Sequence, residues 1–234
     1  MSAVRSLSED GGHSGQPPAA NPSPIWLTIW VDRQAGAYRL QWVEIQGTVS
    51  HARKTQSGDI RMAFSLYDAT VANYLQILGA VGGFLEKSLT HFREKGIDPA
   101  EIIDTRLTPD MLPLRFQIVS VAHHSRGAME AAKNGMFAPS SGKPDLDYVA
   151  LQEMVTEART ELSALTPEAV NALVGRDVTF RLGDRALPFT AEGFLMSFSL
   201  PNFFFHATTA YDILRHKGAP LGKRDFMGRM KVKG

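Results

Sequence analysis

The chain has 234 residues, 44% of them hydrophobic and 21% charged, the composition of a soluble globular protein. It has no cysteine, which excludes a disulfide framework, a thiol nucleophile, an iron–sulfur cluster and Cys-ligated zinc. With 25 basic and 24 acidic residues the formal charge is +1, so bulk charge gives no nucleic-acid surface, and the apolar runs are too short to span a bilayer.

Residues 1–24 are rich in Ser, Gly, Pro and Ala with no apolar period, which predicts disorder. They lack the apolar stretch of a signal peptide, and the expected location is cytoplasmic. Residues 25–46 hold all three tryptophans, Trp26, Trp30 and Trp42, in two β-rich runs around Gly36, the pattern of a short hairpin. Residues 47–61 are polar again. Six basic and five acidic residues precede Met62, so the rest of the chain is balanced in charge. The expected division is an N-terminal extension over 1–61 and a main domain over 62–234, with Met62 as a candidate functional start.

The first long helix is predicted over 66–95. Val71, Tyr74, Leu78, Val81, Leu85, Leu89 and Phe92 recur at three and four, Ser65 stands as N-cap, and Gly96 closes it. A helical turn with Pro99 at its first position follows over 98–107. A second helix begins after Pro113 and ends near Lys133, with Gln117 and His124 on one side of its apolar stripe. Residues 136–145 are predicted to be a loop. The third helix carries Tyr148, Leu151, Val155, Ala158, Leu162 and Leu165 on one face. Two short strands, 178–182 and 185–189, form a hairpin in which Pro188 marks an edge. The fourth helix spans 190–216, with a kink or break expected at Pro201. Four amphipathic helices of this length predict an all-α four-helix bundle with a small β-hairpin before the last helix. The long connection between the third and fourth helices permits a crossover.

The run LPNFFFHATTAYDILRHKGAPLGKRDF (200–226) resembles the signature of a family of unknown function placed with the DinB/YfiT-like metalloenzymes. MAFSLYDATVANYLQIL (62–78), GIDPAEIIDTRLTPDMLPLRFQI (96–118) and the Phe-Thr pair at 189–190 agree with it in order and spacing. The resemblance implies a DinB-like bundle. It also implies a divalent metal (zinc, nickel, manganese or iron) held by one histidine of the second helix and two of the fourth, spaced by four. In some relatives the metal activates a low-molecular-weight thiol for transfer. His124, or its neighbour His123, stands at the first position and His206 at the second. The third position is Ala210, which cannot bind metal, and His216 lies about 15 Å further along the helix.

Adjacent histidines on a helix point about 100° apart, which favours His124 over His123 for the interior. Asn202 and Thr209 lie one turn either side of His206, while Tyr211 is five residues on and off that face. Gln117, Asn202, Thr209 and Tyr211 are the candidate pocket-lining residues. Asp68 and Asp110 are candidate carboxylates behind a histidine, each with helix capping as its competing role. The function expected is a DinB-like metal-dependent enzyme acting on a small molecule. The alternative is a non-catalytic helical protein that binds a small ligand or forms a structural homodimer through its apolar faces.

Overall fold

A computed structural model describes the backbone of residues 25–31 and 38–45, and residues 64–140 and 145–233 in full. The expectations for residues 1–24 and 47–61, and for Met62, lie outside the described residues. The chain separates into two compact units, Met1–Ser57 and Gly58–Gly234. In the first, strand β1 (Ile25–Val31) pairs antiparallel with β2 (Tyr38–Ile45), with a register shift between Trp26 and Thr28.

The second unit starts with a capped turn. Ser65 and Asp68 form a reciprocal capping box at helix α1 (Leu66–Ala69), satisfying two backbone donors that the first turn cannot. Helix α2 (Val71–Glu94) follows, and its inward face buries Val71, Tyr74, Leu78, Val81, Leu85 and Phe92. Asp98 caps α3 (Pro99–Ile103). The second rod is helical from 114 to 134 but not uniformly so. It comprises α4 (Leu114–Ala122), a π-helical turn (His123–Gly127) and α5 (Ala128–Asn134). Gly135, with φ 82°, ends it in the left-handed conformation that glycine adopts without a Cβ clash. Asp147 caps α6 (Tyr148–Ser163), and Thr166 caps α7 (Pro167–Asn171).

The last rod runs from 191 to 216 as α8 (Ala191–Phe194), a second π-helical turn (Leu195–Ser199) and α9 (Leu200–His216). Of the kink or break expected at Pro201, the break does not occur. Proline lacks an N–H, and the widened turn immediately before it takes up the change in hydrogen-bond register while the backbone stays helical. The C-terminal α10 (Lys223–Met227) packs on α2, held by Gln76 Nε2 donating to the Met227 carbonyl at 2.9 Å and by the Lys87–Asp225 ion pair at 3.0 Å.

Among the described residues, the four long rods form the expected bundle. α2 and α4 each pack against both α6 and α9, so consecutive rods α2 and α4 sit on a diagonal, as do α6 and α9. That arrangement needs the long connections at 95–113 and 164–190, which α3, α7 and a small sheet occupy. The sheet has three strands. β3 (Met136–Phe137) lies parallel to β4 (Asp177–Leu182), which pairs antiparallel with β5 (Arg185–Thr190). The loop expected over 136–145 therefore begins as a strand. Phe137 is buried against Phe180 and Phe194, which is what draws this short segment onto β4. Pro188 sits on the edge strand β5, where its missing donor costs no ladder bond to a further strand.

Candidate functional site

The two π-helical turns meet. Each inserts an extra residue into its rod, and π-turns of this kind recur at functional sites. Ser199, at the end of the second turn, is fully buried, and its hydroxyl donates to the His124 carbonyl in the first at 2.6 Å. With that proton committed, the Tyr74 hydroxyl 2.8 Å away is the donor to Ser199 Oγ. A buried Tyr74–Ser199–His124 chain thus ties α2, the last rod and the second rod together at one level.

At that level His124 and His206 face each other from neighbouring rods. Their ring centroids are 5.6 Å apart and their planes differ by 17°. His124 is 9% exposed, and its Nδ1 is buried without a hydrogen-bond partner. His206 Nδ1 lies 2.7 Å from Gln117 Oε1, and Gln117 Nε2 donates to the Leu112 carbonyl at 2.8 Å. His123 lies beside the pair, its ring centroid 5.4 Å from that of His124. Its ring stacks on Phe137 at 4.4 Å, and its Nε2 donates to the Ala138 carbonyl at 2.8 Å. Gly127 makes room for it, because a Cβ there would sit 3.2 Å from His123 Nδ1.

The walls are aromatic. Phe137 and Phe198 lie 5.5 and 5.6 Å from the His124 ring, and Phe116 and Phe205 lie 6.0 and 5.3 Å from His206. Phe205 is 55% exposed, so this apolar rim reaches the surface. Burial in these surroundings penalises the charged imidazolium. It holds His124 down to about 3, with further lowering from His206 and His123. Burial also holds His206 down to about 4, His123 adding to it. His123 is lowered too, chiefly by burial. All three rings are neutral at pH 7, and neutral imidazole is the form that binds a metal or accepts a proton.

The other residues singled out in the sequence fall in different places. Asn202 gives its amide to the Phe198 carbonyl and Thr209 its hydroxyl to the Phe205 carbonyl, each one turn back on its own helix. Tyr211 packs edge-on to Phe84 and Phe226, in ring contact with neither histidine. Asp68 caps α1 through Ser65, and Asp110 bonds the Thr108 hydroxyl at an exposed turn. The Tyr74–Ser199 strut carried no sequence signal, since its partners stand 125 residues apart.

As a metal centre the donor set is short. Ala210 is fully buried where the resemblance requires a third histidine. Among the described residues, no group of three or more His, Cys, Asp or Glu is placed to hold an ion. What remains is two neutral imidazoles, one carrying an orphaned buried nitrogen. That fits a divalent ion only as a two-histidine site completed by water or substrate. No helix among the described residues is long and apolar enough to cross a membrane.

The model of a domain of unknown function, DUF1993, matches residues 66–227. Among solved structures, the crystal structure of a DinB family member protein from Shewanella denitrificans superposes with a TM-score of 0.61 at 23% identity, over 72% of this chain and 95% of that one. No curated protein matches the chain.

Proposed function

We propose that this chain, which belongs to the DUF1993 family and has the DinB-like fold, is a small-molecule enzyme whose reaction centre is the facing pair His124 and His206. One observation carries the reading. His124 Nδ1 is buried, unpartnered and part of a neutral ring, beside a second neutral ring on the neighbouring rod. A buried polar atom without a partner costs about 1–3 kcal/mol, a penalty that a native fold keeps where something binds.

The two histidines would hold one divalent ion (zinc, nickel, manganese or iron), with Gln117 behind His206 as an orienting partner. Such an ion would supply Lewis acidity, lowering the pKa of a coordinated water or small thiol. The chain's own part is to present both lone pairs without a charge of its own. Phe137 and Phe198 exclude water from the His124 side, and the exposed rim at Phe205 leaves the His206 side open to a small molecule. Thiol transfer is the reaction class that the superfamily resemblance brings to this centre.

Ala210 favours a second reading, in which the chain is a non-catalytic binding protein and the two lone pairs accept hydrogen bonds from a ligand's O–H or N–H groups. Elemental analysis of the full chain, purified without chelator, separates the two. The enzyme reading expects near-stoichiometric metal that is lost in both His206→Ala and His124→Ala. No uptake even after addition of divalent ions would remove it and leave the binding reading.

A further inference from the structure

The Leu112 carbonyl can only accept a hydrogen bond, so the Gln117 atom that faces it at 2.8 Å is the NH2 group. The amide orientation follows from that contact. Its other end, Oε1, is an acceptor and lies 2.7 Å from His206 Nδ1. An acceptor at that distance demands an N–H on Nδ1. A neutral imidazole carries one ring proton, so His206 Nε2 is left bare.

We propose that Gln117 is a positioning residue that locks His206 in its Nδ1–H tautomer and so reserves Nε2 as the lone pair of the site. The lock is rigid for local reasons. Gln117 is 2% exposed in the first turn of α4, so water does not compete for its amide. Leu112 precedes Pro113 and lies outside the helix, so its carbonyl is available to a side chain. Without the amide, imidazole favours the opposite Nε2–H form, which would place a proton where the ligand must bind. The chain Leu112–Gln117–His206 therefore does for a neutral histidine what a carboxylate does behind many metal-bound ones, without adding charge. The inference rests on reading His206 as the open nitrogen of the site, and it adds which nitrogen acts and what fixes it.

The test reads the tautomer directly, in the metal-free full chain with chelator present at pH 8. Long-range 15N–1H spectra of the imidazoles should show His206 Nδ1 in the protonated range and Nε2 in the bare range. Gln117→Leu should lose that pattern, moving to the Nε2–H form or to an exchange average, and Gln117→Met, closer in shape, should do the same. On the metal reading, either variant should also lose about 10–100-fold in affinity for the added ion, the usual effect of removing an orienting partner. A wild-type His206 found in the Nε2–H form would overturn the proposal without any variant, and so would an unchanged tautomer in a folded Gln117→Leu protein. The Nδ1–H form without metal uptake would uphold the lock while removing the metal reading. Metal uptake with the Nε2–H form in the metal-free protein would do the reverse.

Discussion

Acidification should destabilise this protein well before its carboxylates titrate, and the facing histidines set how much. In the unfolded chain each ring titrates near its ordinary value of about 6.5. In the folded protein burial holds His124 to about 3 and His206 to about 4. Between pH 7 and 5 the unfolded chain therefore takes up a proton at both rings while the folded protein takes up almost none. Proton uptake favours the unfolded state, so stability falls as the pH falls through 6.5. Each ring contributes about 2 kcal/mol over that interval, or about 4 kcal/mol for the pair. Asp68 and Asp225 are held low by their bonds to Ser65 and Gly222, so the stability they contribute is lost only below about pH 4. His123, lowered in the same direction, adds to the total slope, so the pair is best isolated by difference. The assay is urea unfolding at pH 7 and pH 5, with chelator, of the wild type and of His124→Gln/His206→Gln. The wild type should lose about 4 kcal/mol more than the double variant, a shift of roughly 1.5–2 M in urea midpoint. Equal losses in the two proteins would refute the reasoning, because they would mean that the folded rings accept protons as readily as unfolded ones.

Two further outcomes follow from the packing around the pair. Ser199→Ala removes the bridge between the Tyr74 hydroxyl and the His124 carbonyl and should cost about 1–3 kcal/mol in urea or thermal unfolding; adding Tyr74→Phe should then cost less than it does in the wild type, since the hydroxyl has already lost its partner. Gly127→Ala places a methyl 3.2 Å from His123 Nδ1 and should destabilise by about 1 kcal/mol, whereas in a His123→Ala background the same change should stabilise by up to about 1 kcal/mol through helix propensity, a change of sign that unfolding curves of the four proteins would show or deny.

The parts of this structure that periodicity encodes were legible from the sequence. Val71 to Phe92 on α2 and Tyr148 to Leu162 on α6 recur at helical spacing because one face is buried, and burial is what the pattern records. The Ser65 cap and the first-turn Pro99 are local chemistry and were equally visible. The π-turns were not. A π-turn changes hydrogen-bond register by one residue without changing composition, and nothing in His123–Gly127 or Leu195–Ser199 distinguishes it from ordinary helix. Pro201 was the nearest signal: it suggested a kink or a break, and the backbone stays helical through it behind a π-turn. β3 was missed for a related reason, since two residues carry no alternation and Met136–Phe137 becomes a strand only because β4 lies alongside.

The same division runs through the site. Spacing placed His206 on the last rod and favoured His124 over His123 for the interior, but spacing cannot say that the two rings face each other, nor that Gln117 turns its oxygen to one of them. The amide orientation is set by the Leu112 carbonyl, and the Ser199 bond to the His124 carbonyl joins the two rods that carry the rings, segments far apart in the chain. Ala210 shows the converse. The DinB-like resemblance implies a third histidine there, and the sequence alone makes its absence look like a lost site. In the fold that alanine is fully buried, and the polar groups brought together are Gln117 and His124 of the second rod and His206 of the neighbouring last rod. On the proposed reading, chemistry at this centre depends on two neutral nitrogens, and a ligand that binds them must bring its own charge or its own protons.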